Sequence, residues 1–375
     1  MNRRLSPRRH GFWRGCAGSA SSRFLKKRHR ILHVCFLPRK KQRKLVGSGG
    51  LLDARKLYEL VATDLAAVEM QLRSYTRSGI RPIGEIGEYL LDGGGKRIRP
   101  VLLLLTAKMI GGVTPAMIRL GAVVELIHNA TLVHDDVIDA ADTRRGRPSA
   151  NSNWGNSKTV LAGDWLYMQS FAVALGERNL DILSTLIEVT QKMVEGELLQ
   201  LTHLGRSDVT QQELLDIVER KTGWLFSACM RLPGIASGAD SETVDRLTTI
   251  GRNLGMAFQL IDDLLDLTST QQTLGKPVGS DLKEGKITLP VSFVMGKGAP
   301  GDTAKVKTVL QERGFASVES GDILTLVESC DGISQTRALA EEYARSAERL
   351  LREFPSSVYR DAVLSIPEFI LNRNV

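Results

Sequence analysis

From about residue 50 onward, apolar residues recur at spacings of three and four. The segments ARKLYELVATDLAAVEMQLRSY (54–75), AMIRLGAVVELIHNATLVHDD (116–136) and LDILSTLIEVTQKMVEGELLQL (180–201) show it most clearly. That period puts the apolar side chains on one face of a helix. Strand-like alternation bounded by turn residues is scarce. Breaks fall where Gly, Pro, Asn and Ser cluster, at 111–115, 144–154, 205–210, 234–241, 275–290 and 296–301. The pattern predicts an all-α fold: one domain over 51–375, a bundle of ten or more helices around a central cavity. No clean apolar run of 18 residues stands out, so no transmembrane helix is expected.

Composition refines this picture at the N-terminus. Of the 375 residues 42% are hydrophobic and 5% aromatic, ample for a large core. Residues 1–50 carry 15 Lys or Arg and no acid; taking those from the chain's 50 leaves 35 basic against 42 acidic residues, about −7. The net +8 therefore belongs to the extension alone, which removes the case for a nucleic-acid-binding body. The extension lacks the apolar centre of a secretory signal. It reads as an expendable disordered arm or mis-set start, next as an organelle transit peptide, and otherwise as a basic arm for anionic surfaces. Cys16, Cys35, Cys229 and Cys330 have no metal-site spacing, which fits a reducing, cytoplasmic setting.

The chemistry begins with two acidic motifs, DDVID at 135–139 and DDLLD at 262–266, each inside an apolar stretch. Positions i and i+4 share a helix face, so Asp135 with Asp139, and Asp262 with Asp266, form self-repelling carboxylate pairs. Partly desolvated carboxylates call for hard cations such as Mg2+, which prefer to share their shell with phosphate oxygens. A lone motif of this kind reads equally well as a solvated acidic face. Basic clusters alternate with the acidic ones, however. GGGKRIRP brings Lys96, Arg97 and Arg99 behind a glycine run that could approach an anion; DTRRGRP brings Arg144 and Arg145; GKPVGSDLKEGK brings Lys276 and Lys286. If all converge, one cavity binds two polyphosphates, one through metal and one through Arg and Lys directly.

In their order along the chain, these motifs, with ELIHNATLVHDDVIDAADTRRGRPS, GD at 163–164, EGELLQL, RKT at 220–222 and GMAFQLIDDLLDL, resemble those of the trans-type polyprenyl diphosphate synthases. The likeness runs from about residue 51 to the C-terminus. It implies an isoprenoid synthase-type helical bundle that extends an allylic prenyl diphosphate with isopentenyl diphosphate. It also implies that Asp135, Asp136, Asp139, Asp262, Asp263 and Asp266 hold Mg2+, and that Arg144, Lys221, Lys276 and Lys286 bind the allylic diphosphate. Lys96, Arg99, His128 and Arg145 match positions for isopentenyl diphosphate, and Thr222 and Gln259 match residues near the reacting carbons. A homodimer is expected on the same ground. The catalytic core of this set would be Asp135, Asp139, Lys221 and Asp262.

Bland readings stand beside several of these. His128 on an apolar helix would by default be a satisfied buried histidine, and its place seven residues before Asp135 is what argues otherwise. Lys221 and Thr222 alone would be an exposed pair. Glu195 and Glu197 read as helix-surface or interhelical partners, Asp281 as a cap or an outer partner of the metal site, Asp164 as structural, and His134 is unassigned. In the family the resemblance points to, large aromatics one turn before the first acidic motif shorten the product. Ala130 and Thr131 occupy that turn, with the apolar Ile127, Val124 and Val123 behind, so a medium or long all-trans product of octaprenyl type, serving quinone side chains, is expected. Shorter geranylgeranyl or farnesyl products, a catalytic subunit of a heteromeric synthase, and a terpene cyclase are the competing readings. An intact second anion cluster argues against the cyclase, and six retained aspartates argue against a noncatalytic subunit.

Overall fold

The computed structural model of the chain describes residues 54–269 and 279–373; the basic extension 1–50 and Lys276 lie outside them. Helices α1 (Ala54–Leu60), α2 (Ala62–Tyr75) and α3 (Arg81–Asp92) lead into α4 (Ile98–Ile110) and α5 (Pro115–Ile138). A two-residue antiparallel ladder, β1 (Thr143–Arg144) with β2 (Arg147–Pro148), and the short α6 (Ala150–Trp154) precede α7 (Asn156–Leu175). Next come α8 (Leu180–His203), α9 (Gln211–Val218), a π-helical turn (Glu219–Gly223), α10 (Trp224–Ala236) and α11 (Ser241–Thr268). The remainder is α12 (Ser280–Lys283), α13 (Leu289–Lys297), α14 (Pro300–Glu312), α15 (Ser320–Ser329), α16 (Gly332–Leu351), α17 (Val358–Leu364) and α18 (Ile366–Leu371).

The all-α expectation is met, and the breaks fall where Gly and Pro placed them. Two breaks have structure of their own: 144–154 holds β2 and α6, and 275–290 holds α12. The starts are set by side chains. Thr114 accepts from the Met117 N–H ahead of Pro115, Thr210 and Glu213 cap each other's backbone, and Asp240 accepts from the Thr243 N–H at 2.7 Å.

α5 and α11 form the spine, and each carries its acidic motif in its last turns. Upstream of the motif α5 is core: Val123, Val124, Leu126 and Ile127 are fully buried against neighbouring helices, each contributing about 1.5–3 kcal/mol of burial. Contrary to the expectation drawn from runs of apolar residues, Pro115–Ile138 is long and apolar enough to span a bilayer by length and composition. Most of that stretch is buried beneath α2, α4, α7 and α10, so packing within the bundle accounts for its apolarity. A smaller apolar cluster lies under α13 to α15 around Val291, Val294, Val306 and Val327.

α10 and α11 approach so closely that Gly251 sits against backbone. A Cβ there would stand 2.6 Å from Phe226 O and 2.8 Å from Ser227 Cα, and neither can swing aside. Gly251→Ala is therefore expected to destabilise the fold by about 1–3 kcal/mol through forced separation of the two helices. A lowered thermal midpoint by circular dichroism is the readout, and an unchanged midpoint would show that the helices part without cost.

Candidate active site

The last turns of α5 divide their three carboxylates by angle. At about 100° per residue, Asp136 cannot share a face with Asp135. Asp136 is buried at 1% exposure, and Arg144 Nε donates to its Oδ1 at 2.5 Å. Asp135 faces a cavity instead, where burial, then the neighbouring Glu197 and Asp139 against Lys221 and Arg144, push its carboxyl up to about 6. Asp139 caps the helix and accepts from Lys286 Nζ at 3.0 Å.

The second motif divides likewise. Asp263 is buried, and burial together with Asp281, Asp262 and Asp266 holds its carboxyl well above the usual range, while Gln259 Nε2 donates to it at 2.9 Å. Asp266, expected beside Asp262, is also buried; its carboxylate accepts from Ser280 Oγ at 2.7 Å and from the Asp281 N–H at 3.2 Å, holding the start of α12 against α11. Gly279, not Asp281, is the N-cap of α12. Asp262 stands 2.7 Å from Arg373 Nη1 at the far end of the chain.

This departs from the expected cluster of six carboxylates. Among the described residues no three Asp, Glu, His or Cys side chains are gathered at metal-binding distance. Asp136 and Asp266 are turned into the protein and engaged there, and Asp263, buried and bonded to Gln259, borders the smaller of the site's two cavities. Asp135, Asp139 and Asp262 are the carboxylates of the two motifs that keep partial exposure. Their all-oxygen character, and the desolvated repulsion that raises Asp135, fit a hard divalent cation.

The basic residues come together more fully. Burial, then Arg99, Arg145, Arg144 and Arg97, keep the His128 pKa well below the ordinary histidine value. Half-buried Arg99 lies over the Phe226 ring at 5.2 Å, and its Nε, sealed from solvent, has no hydrogen-bond partner. Lys96 is depressed by burial and by Arg373, with Asp262 opposing. Arg97 takes a different role from its neighbours in GGGKRIRP: its Nη1 donates to Glu125 at 2.9 Å and its Nε to Glu69. The glycine run accommodates guanidinium groups. Gly94 O accepts from Arg145, and a Cβ on Gly95 would meet Arg97 Nη1 at 2.8 Å.

Lys221 and Thr222 occupy the π-helical turn, a local widening that redirects both side chains inward from the α9–α10 line. Glu197 Oε2 lies 2.5 Å from Lys221 Nζ, Gln200 also accepts from it, and Glu195 pairs with Arg220, so EGELLQL supplies interhelical partners. Thr222 Oγ1 donates to Gln259 Oε1 at 2.8 Å, giving a chain Thr222–Gln259–Asp263. The GD pair has an account too: His134 Nε2 lies 3.4 Å from Asp164 and 3.1 Å from Val160 O, nested against Gly163. Of the two chain-length positions, Thr131 lines the cavity, whereas Ala130 is fully buried on the core side. The residue that sequence reasoning missed is Arg373; a lone arginine beyond the last helix offers no motif.

Two cavities meet at Lys221. One, of about 440 Å³, is largely apolar between α5, α7 and α8, with Arg99, His128, Asp135 and Lys221 at its charged end. The other, of about 200 Å³, includes Lys221, Gln259, Asp263, Asp281 and Lys286. A charged head would sit where they join, with an apolar tail in the larger.

Comparison with known proteins bears on the family and the fold. Residues 81–325 match the family described as Polyprenyl synthetase. The octaprenyl diphosphate synthase of Escherichia coli (strain K12) is 36% identical over 323 residues, covering 86% of this chain and 100% of that protein. The polyprenyl synthase of Caulobacter crescentus CB15, solved with calcium and isoprenyl diphosphate, superposes with a TM-score of 0.82 at 32% identity over 86% of this chain and 98% of its own. The decaprenyl diphosphate synthase of Rhodobacter capsulatus gives 0.79 at 34% identity over 84% and 98%.

The raised Asp135 carboxyl has a consequence for stability. A folded-state value near 6 against an ordinary 3.8 favours the neutral form, so the stability it contributes is present below about pH 4 and lost as pH rises through 6. In metal-free protein, Asp135→Asn should gain on wild type by about 1–3 kcal/mol between pH 4.5 and 8. Thermal midpoints of both proteins across that range provide the check; a pH-independent difference would show that Asp135 is not desolvated.

Proposed function

The chain belongs to the polyprenyl synthetase family and is a polyprenyl diphosphate synthase, a prenyltransferase; on that premise we propose that it makes a medium or long-chain all-trans product of octaprenyl type. The observation that carries the elongation reading is the group of cations around His128, with Arg99 Nε lacking a partner. Carboxylates offset only part of that charge, and an anion is what it lacks. A second diphosphate fits; a cyclase, which ionises one diphosphate, would have no use for the cluster.

In this reading the allylic diphosphate lies with its head at the junction of the two cavities, against Arg144, Lys221 and Lys286; the fourth expected cation, Lys276, lies outside the described residues. Asp135, Asp139 and Asp262 would hold Mg2+, which supplies positive charge to neutralise the departing diphosphate. Lys221, drawn from its partners Glu197 and Gln200, adds its ammonium to that leaving group. Lys96, Arg99, His128 and Arg145 orient isopentenyl diphosphate with its double bond toward the allylic carbon. Thr222 and Gln259, tied to each other, present oxygen dipoles to the positive charge without a nucleophile strong enough to trap it. The released diphosphate is the nearest base for the final proton. The apolar cavity keeps water from the cation. Quinone side-chain synthesis is the use this product length supports, and geranylgeranyl or farnesyl products remain the second reading.

A homodimer through α7 and α8 is part of the same proposal. Leu161, Met168 and Leu175 on α7, and Leu180, Ile187 and Val194 on α8, are exposed and recur every seven residues, so each set forms a continuous stripe. A second copy related by a twofold axis would cover both stripes with the same surface. Met168→Glu combined with Val194→Glu is expected to shift the species seen by analytical ultracentrifugation from dimer to monomer; a wild-type monomer would refute this part.

The activity test combines purified protein, Mg2+, farnesyl diphosphate and labelled isopentenyl diphosphate, with chromatography of the dephosphorylated products. A ladder ending at one long prenol is expected. Asp135→Ala and Asp262→Ala should each lower turnover at least ~100-fold with the circular dichroism spectrum retained. Hydrocarbon from the allylic substrate alone would replace this reading with cyclisation.

A further inference from the structure

We infer that Tyr167 on α7 is a residue that limits product length, by filling the apolar cavity at the level where the growing tail leaves the reaction centre. The inference rests on the elongation reading above. It begins from a mismatch between helix α5 and the cavity it borders. Of the two small residues on the turn before Asp135, only Thr131 lines the cavity, and Ala130 faces the core. Farther back, Val123, Val124 and Ile127 are fully buried in packed core, so α5 offers no lane of its own for a lengthening tail. Small side chains on α5 therefore do not by themselves leave the path open.

The bulk at this level comes from the facing helix. Tyr167 is 8% exposed, lines the same cavity as Thr131, Asp135 and Met193, and sets its ring 5.8 Å from the His134 imidazole. Besides the two histidines it is the one aromatic ring in the lining among the described residues. A helical side chain leans toward the N-terminus of its own helix, which carries this ring toward Gly163, Asp164 and the Asp135 turn. Gly163, Tyr167, Ser170 and Ala174 follow one another at spacings of four, three and four, a single face of α7. Tyr167 is the only bulky member of the four. Behind it, Ser170 and Ala174 are fully buried and small. Deleting the ring would widen the cavity beside Thr131 and join it to the part of α7 with the least side-chain volume.

Shape, not the hydroxyl, is the operative property, and the test separates the two. Wild type, Tyr167→Phe, Tyr167→Leu and Tyr167→Ala are incubated with Mg2+, farnesyl diphosphate and labelled isopentenyl diphosphate, and the prenol ladder from each is resolved by chromatography. The expected result is a terminal product at least one isoprene unit longer in Tyr167→Ala, with Tyr167→Phe ending where wild type ends. Tyr167→Leu repeats the measurement with a smaller loss of core volume if the alanine protein does not fold. Active Leu or Ala variants whose ladders end at the wild-type length would overturn the inference, as would a Phe variant as long as the Ala one. Failure of wild type to incorporate any isopentenyl diphosphate would sink the elongation reading, and this inference with it.

Discussion

Charge cannot be held inside a helical bundle unless it is paired, and this constraint organises the whole site. Taking a carboxylate or ammonium out of water costs several kcal/mol when nothing opposes it. The protein meets that cost with its own counterions. Lys221 rests against Glu197, Lys286 against Asp139, Arg144 against Asp136 and Arg373 against Asp262. All but the Arg144 pair run between segments distant in sequence, so they also fix how α5, α8, α11, the 279–288 segment and the C-terminus stand around the cavity. A metal-bound diphosphate brings both signs at once and can exchange with these partners, cations taking phosphate oxygens and carboxylates taking the metal, without leaving a buried charge alone at any stage. That is a reason for acidic and basic motifs to alternate along one chain. The basic cluster around His128 is the part that lacks enough internal partners, and it is there that a second anion gains most.

Helix geometry decides which groups are available for that exchange. Each acidic motif puts adjacent aspartates about 100° apart, so one keeps partial exposure while its buried neighbour must find a partner inside. Asp136 finds Arg144, Asp263 finds Gln259, and Asp266 finds Ser280 and the Asp281 backbone. The inward carboxylates hold the elements that place the outward ones. In Thr222–Gln259–Asp263 the link runs from the π-helical turn to α11 through hydrogen bonds of 2.8 and 2.9 Å, so the residues closest to the proposed reacting carbons are tied to the buried side of the metal motif.

The helical class, the breaks and the nearness of Arg99 and Arg145 to His128 were legible in the sequence because each is written locally, as a period or a short motif. Which aspartates stay accessible was half legible: the i, i+4 rule separates Asp135 from Asp136, but it also pairs Asp262 with Asp266, and only the packing of the 279–281 segment draws Asp266 inward. The roles of Arg97 and of the glycine run were not legible, since both depend on Glu69, Glu125 and Arg145 arriving from other segments. Arg373 belongs to the same class: nothing near it in the chain announces a partner, and its meeting with Asp262 is a product of how α18 returns to α11.

The apolar cavity and the exposed stripes of α7 and α8 are one problem seen from two sides. Val194 and Leu198 belong to both: they line the cavity and stand exposed on the outer face of α8. A polyprenyl tail gains from burial roughly in proportion to its apolar area, so a wall that leaks to solvent loses part of that gain with every unit added. Covering α7 and α8 with a second copy would seal that wall from outside, and the ring of Tyr167 would limit the space from within. Product length would then depend on two groups that never touch the diphosphate, one at the subunit surface and one behind the first acidic motif. The charged end of the site can accept a diphosphate whatever its tail, so discrimination among tails must come from this apolar end.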